Sequence, residues 1–119
     1  MITGFDHLQI SFPAGRLVDA LAFYVDLLAF TRIEKPAGLS KSGAWLTQGG
    51  FNLHLGEEEN FQTDGRGHPA FLVDALEPLI MRLQHADCRT RYDQGPNGFL
   101  RASAWDPFGN RIEFMQRLA

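Results

Sequence analysis

Cysteine is nearly absent: Cys88 is the only one in 119 residues. No intrachain disulfide can form, so the fold must rest on its core, as suits a reducing cytoplasm. Positive charge is not in excess. Lys and Arg number 11 against 14 Asp and Glu, a net charge of −3, which sets aside a nucleic-acid-binding or polybasic membrane surface. Long apolar runs are missing too. The longest, ALAFYVDLLAF (20–30), is interrupted by Asp26 and is too short to span a bilayer. The first residues lack the basic region and apolar core of a secretion signal. There is no phosphate-cradling glycine loop and no Ser/His/Asp nucleophile signature. The expected location is cytoplasmic, with no nucleic-acid or membrane partner.

What the chain does have is a repeat. FDHLQISF (5–12) alternates, with Leu8, Ile10 and Phe12 on one face and His7, Gln9 and Ser11 on the other. LVDALAFYVDLL (17–28) carries Leu17, Leu21, Tyr24 and Leu28 at helical spacing. GAWLTQ and FNLHLG are two strands joined by Gly49 and Gly50, a hairpin signal. EEENFQTDGRG then reads as a polar connector, with GEEEN (56–60) a wet loop after the strand. The same order follows again. HPAFLV (68–73) is a strand, and LEPLIMRLQHA (76–86) a helix with Leu76, Leu79, Ile80 and Leu83 inward. FLRASAW and NRIEFMQ form a hairpin around DPFG. His7 and His68 are 61 positions apart, Trp45 and Trp105 are 60, His54 and Glu113 are 59. With short extra strands near 31–35 and 89–92, the pattern predicts an α+β fold of two tandem βαβββ modules, about 1–60 and 61–119. These form curved mixed sheets with helices packed outside, within one domain spanning 1–119, since a module of under 60 residues is too small to stand alone.

Each module therefore opens with a strand bearing a His and closes with a strand bearing His54 or Glu113. Apolar residues of opposite parity cover the helix, so these four side chains share the other face of the sheet. An antiparallel sheet with one wet face gives the same alternation without any function. Residue identity adds weight, because three of the four His of the chain fall at repeat-equivalent strand positions. Imidazole and carboxylate are ligands for Zn, Ni, Mn, Fe or Co. The pattern makes His7, His54, His68 and Glu113 candidate metal ligands.

HLQISF, ALAFYVDLLAF, LHLG, HPAFLVDAL and DPFGNRIEF, in that order, resemble the vicinal-oxygen-chelate superfamily of glyoxalases, bleomycin-resistance proteins and extradiol dioxygenases. The resemblance implies a paired βαβββ fold with metal ligands on the first and last strands of the modules, the same four residues. It implies a small-molecule substrate that chelates a divalent cation through two adjacent oxygens, in a lyase, isomerase or transferase reaction. Glyoxalase I generally has an acid where this chain has His54, which argues against that literal activity, and extradiol enzymes usually have longer chains. Glu113, or a metal-bound hydroxide, is the candidate base. Trp45, Phe99 and Trp105 are candidate substrate-lining residues, and Arg101 is a candidate partner for a carboxylate or phosphate group. Relatives that pair the first module of one chain with the second of another imply a homodimer with sites at the subunit interface. The other reading keeps the fold and drops the metal: a drug-binding protein of the bleomycin-resistance type. The usual glycine after the first helix is replaced by Ala29, and Asp87 stands at the comparable place in the second module. If these ends still need a left-handed residue, Ala is the more strained of the two.

Overall fold

A computed structural model describes residues 1–119. The chain divides into two compact units, Met1–Phe61 and Gln62–Ala119.

The first unit runs β1 (Leu8–Pro13), α1 (Leu17–Leu21), β2 (Thr31–Ile33), β3 (Ala44–Gln48) and β4 (Phe51–Glu58). Its sheet has the order β1-β4-β3-β2. The outer strand β1 runs parallel to β4, and the other pairs are antiparallel. Alternation decides which face is buried. Ile10, Phe12, Leu46, Leu53 and Leu55 are buried with Ala20, Phe23 and Tyr24 of the helical segment, and each such large apolar side chain stabilises by about 2 kcal/mol. Gly43 lies just before β3 at a φ of 73° and backs onto β4, where a Cβ would collide with the Leu55 carbonyl oxygen. Only glycine fits there.

The second unit runs β5 (Ala70–Leu72), α2 (Leu76–His85), β6 (Thr90–Asp93), β7 (Phe99–Trp105) and β8 (Arg111–Arg117). The sheet order is β5-β8-β7-β6, with β5 parallel to β8. Leu76, Ile80 and Leu83 of α2 are buried with Ala102, Ala104, Ile112 and Phe114. The small side chains of β7 leave room for the helix. Ala75 offers no side-chain cap, and the orphan Leu76 N–H is satisfied instead by Gln116 Oε1 of β8 at 2.8 Å.

Three local expectations are corrected. The first helix widens into a π-helical segment at Ala22–Leu27, with Leu28 N–H bonded to the Phe23 carbonyl at 3.0 Å. A π turn holds more residues than an α turn, so the buried stripe is Ala20, Phe23, Tyr24 and Leu28, while Leu17 and Leu21 are only half-buried. GEEEN is not all loop, because β4 continues to Glu58 through parallel pairing with Phe12 and Pro13. The two tryptophans are not structural counterparts either. Across the hairpins, His54 faces Trp45 but Glu113 faces Ser103, and Trp105 faces Arg111. The first hairpin turns on two glycines and the second on residues 106–110, so the registers differ by two positions. The longer turn is built around buried Asp106. Its Oδ1 accepts N–H bonds from Phe108 and Asn110, both at 2.9 Å, and Oδ2 accepts from Asn110 Nδ2 at 2.8 Å. DPFGN is thus a fold device.

The two helix ends do call for left-handed residues, as φ is 66° at Ala29 and 61° at Asp87.

Candidate functional site

Each unit brings two of the four predicted ligands together. His7 is not in β1 but one residue before it, and His68 is two residues before β5. Pro69 separates His68 from the strand. It lacks an N–H, yet its carbonyl accepts the Glu113 N–H at 3.0 Å, which brings His68 beside Glu113. Neither unit gathers three or more His, Cys, Asp or Glu side chains.

In the first unit the contact is between rings. His54 stacks on His7 with centroids 4.0 Å apart and planes 20° apart. On its other side it stacks on Trp45, at 4.1 Å and 4°. Trp45 and His54 are cross-strand partners, so pairing fixes one contact, and His7, just before β1 beside β4, makes the other. The His7 Nδ1 lies 2.8 Å from Asp6 Oδ2. A carboxylate only accepts, so Nδ1 carries the hydrogen, and in the neutral tautomer this selects, Nε2 is the atom with the lone pair. The His54 pKa is lowered, first by burial and then by the neighbouring His7, which favours a neutral imidazole.

In the second unit the contact is polar. His68 Nδ1 lies 2.8 Å from the Arg66 carbonyl oxygen, and Nε2 lies 3.0 Å from Glu113 Oε1. The carbonyl can only accept, so Nδ1 is the donor. Nε2 and the carboxylate oxygen then face one another as two acceptors unless a proton or a metal ion lies between them. Glu113 is buried, with Arg101 Nη1 3.8 Å from Oε2 and Arg111 Nη2 4.0 Å from Oε1. Both guanidinium groups supply countercharge from beyond hydrogen-bond reach. Arg111 is itself held, its Nε donating to Ser103 Oγ at 3.0 Å. Ser103 donates in turn to Asp93 Oδ2 at 3.1 Å. The Asp93 carboxyl is pulled below its usual range, chiefly by the hydrogen bond from Arg91 and also by that from Ser103. Arg101 Nε is buried without a partner, a donor placed where an acceptor would be welcome.

The second-unit pair fits two ligands of a divalent ion. Imidazole Nε2 of His68 and the Glu113 carboxylate are ligand types of Zn, Ni, Mn, Fe and Co. Two ligand atoms at right angles, each about 2.1 Å from one ion, stand about 3 Å apart, and His68 Nε2 and Glu113 Oε1 are separated by 3.0 Å.

Of the predicted substrate residues, Trp45 belongs to the ring stack and Arg101 to the Glu113 cluster. Trp105 lies instead under Arg89, whose guanidinium is 4.0 Å from its ring centroid. Phe99 sits at the other end of β7 beneath Arg117, at 5.1 Å. Arg111, Ser103 and Asp6 were missed by sequence reasoning. Arg111 was findable, since a residue two places before Glu113 on a strand shares its face. Ser103 needed the hairpin register, and Asp6 needed the side-chain conformation of His7.

The sequence model of the Glyoxalase/Bleomycin resistance protein/Dioxygenase superfamily matches residues 4–114. No curated protein gives a match. Among solved structures, a protein from Bacillus anthracis described as a glyoxalase family member is 36% identical, with a TM-score of 0.90 over 98% of this chain and 97% of that one. The fosfomycin resistance protein FosX from Listeria monocytogenes is 18% identical, with a TM-score of 0.80 over 98% and 94%. TnmS3, an antibiotic binding protein from Streptomyces sp. CB03234, is 21% identical, with a TM-score of 0.76 over 98% of both chains. The last two likenesses are likenesses of fold.

Proposed function

Because this chain belongs to the Glyoxalase/Bleomycin resistance protein/Dioxygenase superfamily, we propose that it is a metal-dependent enzyme of the glyoxalase type. Its substrate is a small molecule with two adjacent oxygens, and the reaction is of the lyase, isomerase or transferase kind. His7, His68 and Glu113 hold one divalent cation, with His54 beside them. The observation that carries this reading is the 3.0 Å approach of His68 Nε2 to Glu113 Oε1, a spacing that fits two ligands of one ion, with the other ring nitrogen turned to the Arg66 carbonyl.

When bound, the cation supplies Lewis-acid polarisation of the substrate oxygens. The protein residues do the rest. Asp6 and the Arg66 carbonyl hold the tautomers of His7 and His68 that present Nε2. Glu113 Oε2 makes no hydrogen bond within the protein, and as general base it takes a proton from the substrate carbon or hydroxyl. Arg101, with its orphan Nε donor, pairs with an anionic group of the substrate. Trp45 supplies an apolar wall.

The functional particle is a homodimer in the cytoplasm, in which His7 of one chain joins His68 and Glu113 of the other. Mixing His7→Ala chains with Glu113→Ala chains tests this. The heterodimer has one site lacking both ligands and one intact site, so metal binding returns to half the wild-type stoichiometry. A heterodimer that binds no metal rejects cross-chain assembly. The primary test is elemental analysis of protein purified without chelator, beside Glu113→Ala. About one ion per chain is expected in the former and none in the latter, and an empty, catalytically silent wild type sinks the reading.

The stack of Trp45, His54 and His7 favours a second reading, a metal-free protein that binds planar aromatic molecules such as drugs. TnmS3 is described as an antibiotic binding protein. Tight binding of a planar aromatic antibiotic in EDTA, unchanged in Glu113→Ala, would establish this reading in place of the first.

A further inference from the structure

The ring stack of the first unit has a direct bearing on which histidines can bind the ion. We infer that His54 is a positioning residue: its ring, clamped between Trp45 and His7, sets the direction in which His7 offers Nε2 to a divalent cation. This rests on the metal reading above, and it gives His54 a role through its ring face in place of a nitrogen donor.

The argument is geometric. The lone pair of an imidazole nitrogen lies in the plane of the ring, so an ion shared by two imidazoles must lie close to both planes. The planes of His7 and His54 are inclined by only 20° with centroids 4.0 Å apart. Such planes meet roughly 10 Å from the rings, whereas a ligating nitrogen holds its ion at about 2.1 Å. The two rings therefore cannot aim their lone pairs at one ion while they are stacked.

What the stack does instead follows from where each ring is anchored. Trp45 and His54 are paired across β3 and β4, and their planes agree within 4°. His7 precedes β1 and so lies outside the β1–β4 ladder, with its side chain 39% exposed. Two contacts hold its ring: Asp6 Oδ2 on Nδ1 fixes the tautomer, and His54 against one face fixes the plane. Both faces of His54 are covered, and its nitrogens make no hydrogen bond within the protein. Its stacking surface is therefore what it contributes.

His54→Phe and His54→Ala separate face from nitrogen. Phe keeps a flat ring and removes both nitrogens, while Ala removes the ring. Titration calorimetry with Zn²⁺, Mn²⁺ and Ni²⁺ alone as probes reads the affinity. His54→Phe is expected to stay within about threefold of wild type, and His54→Ala to weaken binding about 10- to 100-fold, the usual effect of losing a residue that orients a ligand. If Phe weakens binding as much as Ala, the nitrogen is what matters and the inference is wrong. An affinity unchanged in His54→Ala overturns it equally. A second readout needs no metal. In EDTA, the ring protons of His7 should be shifted upfield by the stack in wild type and His54→Phe, and should return to ordinary values in His54→Ala. If wild type binds none of the ions, the metal reading falls by itself, and these shifts alone decide the stack: loss in His54→Ala upholds it and no change overturns it.

Discussion

His54 in the first unit and Glu113 in the second occupy equivalent strands, yet their surroundings differ in kind. His54 is held by flat surfaces, with Trp45 on one side and His7 on the other. Glu113 is held by charge, with the guanidinium groups of Arg101 and Arg111 around it and His68 Nε2 at 3.0 Å. Ring stacking is worth about 1 kcal/mol per pair and constrains planes. A buried carboxylate among cations holds a much larger balance of opposing terms, and one deletion upsets it. Across the hairpin the difference is one of partner: Trp45 opposite His54, Ser103 opposite Glu113. A large flat residue makes a stack possible in one unit, and a small hydroxyl lets Arg111 reach toward the carboxylate in the other. The duplicated fold thus carries two unlike halves, one suited to orienting a ring and the other to concentrating charge.

The largest effect should come from removing the charge at the centre of the second unit. Glu113→Ala leaves two guanidinium groups without their countercharge and should destabilise the protein by about 3 kcal/mol, read from urea unfolding. His54→Ala removes two stacked pairs and should cost about 2 kcal/mol. Equal losses would erase the contrast. Next are the two hairpin turns. Asp106→Ala removes three accepted hydrogen bonds from a buried site and should destabilise by about 2 kcal/mol. Alanine at Gly49, which is exposed with open space at its Cβ position, should cost only about 1 kcal/mol through its φ of 56°. Smaller still are the helix ends. Ala29→Gly should raise stability by about 1 kcal/mol, because Ala holds a φ of 66°. Asp87→Gly should gain less, as Asp tolerates this conformation better. Thermal unfolding compares the two.

The smallest effects lie in pH, and they divide the units by window. The folded pKa of His54 lies below the ordinary histidine value of 6.5. The unfolded chain therefore binds the proton first, and stability falls as pH drops below about 6.5 and through the folded value. That slope should be reduced in His54→Phe. Asp93 is also lowered from the ordinary carboxyl value of 3.8. Its contribution is complete above the unfolded value and is lost as pH falls below it through the folded value, a loss absent in Asp93→Asn. Unfolding free energy measured across pH 2–8 checks both, and a wild-type slope near pH 6 that survives in His54→Phe would remove His54 from the account.

Much of the fold was legible because it depends on period. Apolar residues every second position gave the strands, Leu76, Ile80 and Leu83 gave the second helix, and the near-constant spacing of His7, His54, His68 and Glu113 gave the duplication. The first helix was less legible, since it contains a π-helical segment at Ala22–Leu27, and a 3.6-residue period cannot announce it. At the site, residue types and shared face were readable. The partners of those residues were not, because the two hairpins close with turns of different length and a shift of two positions keeps every side chain on the same face.

That last point separates the two sources of information. The order of residues determined which side chains look away from the helices, because parity survives any even shift in register. Only tertiary structure decided that His54 meets Trp45 while Glu113 meets Ser103 and the arginines. Turn length and side-chain packing set those contacts over distances that no periodicity records.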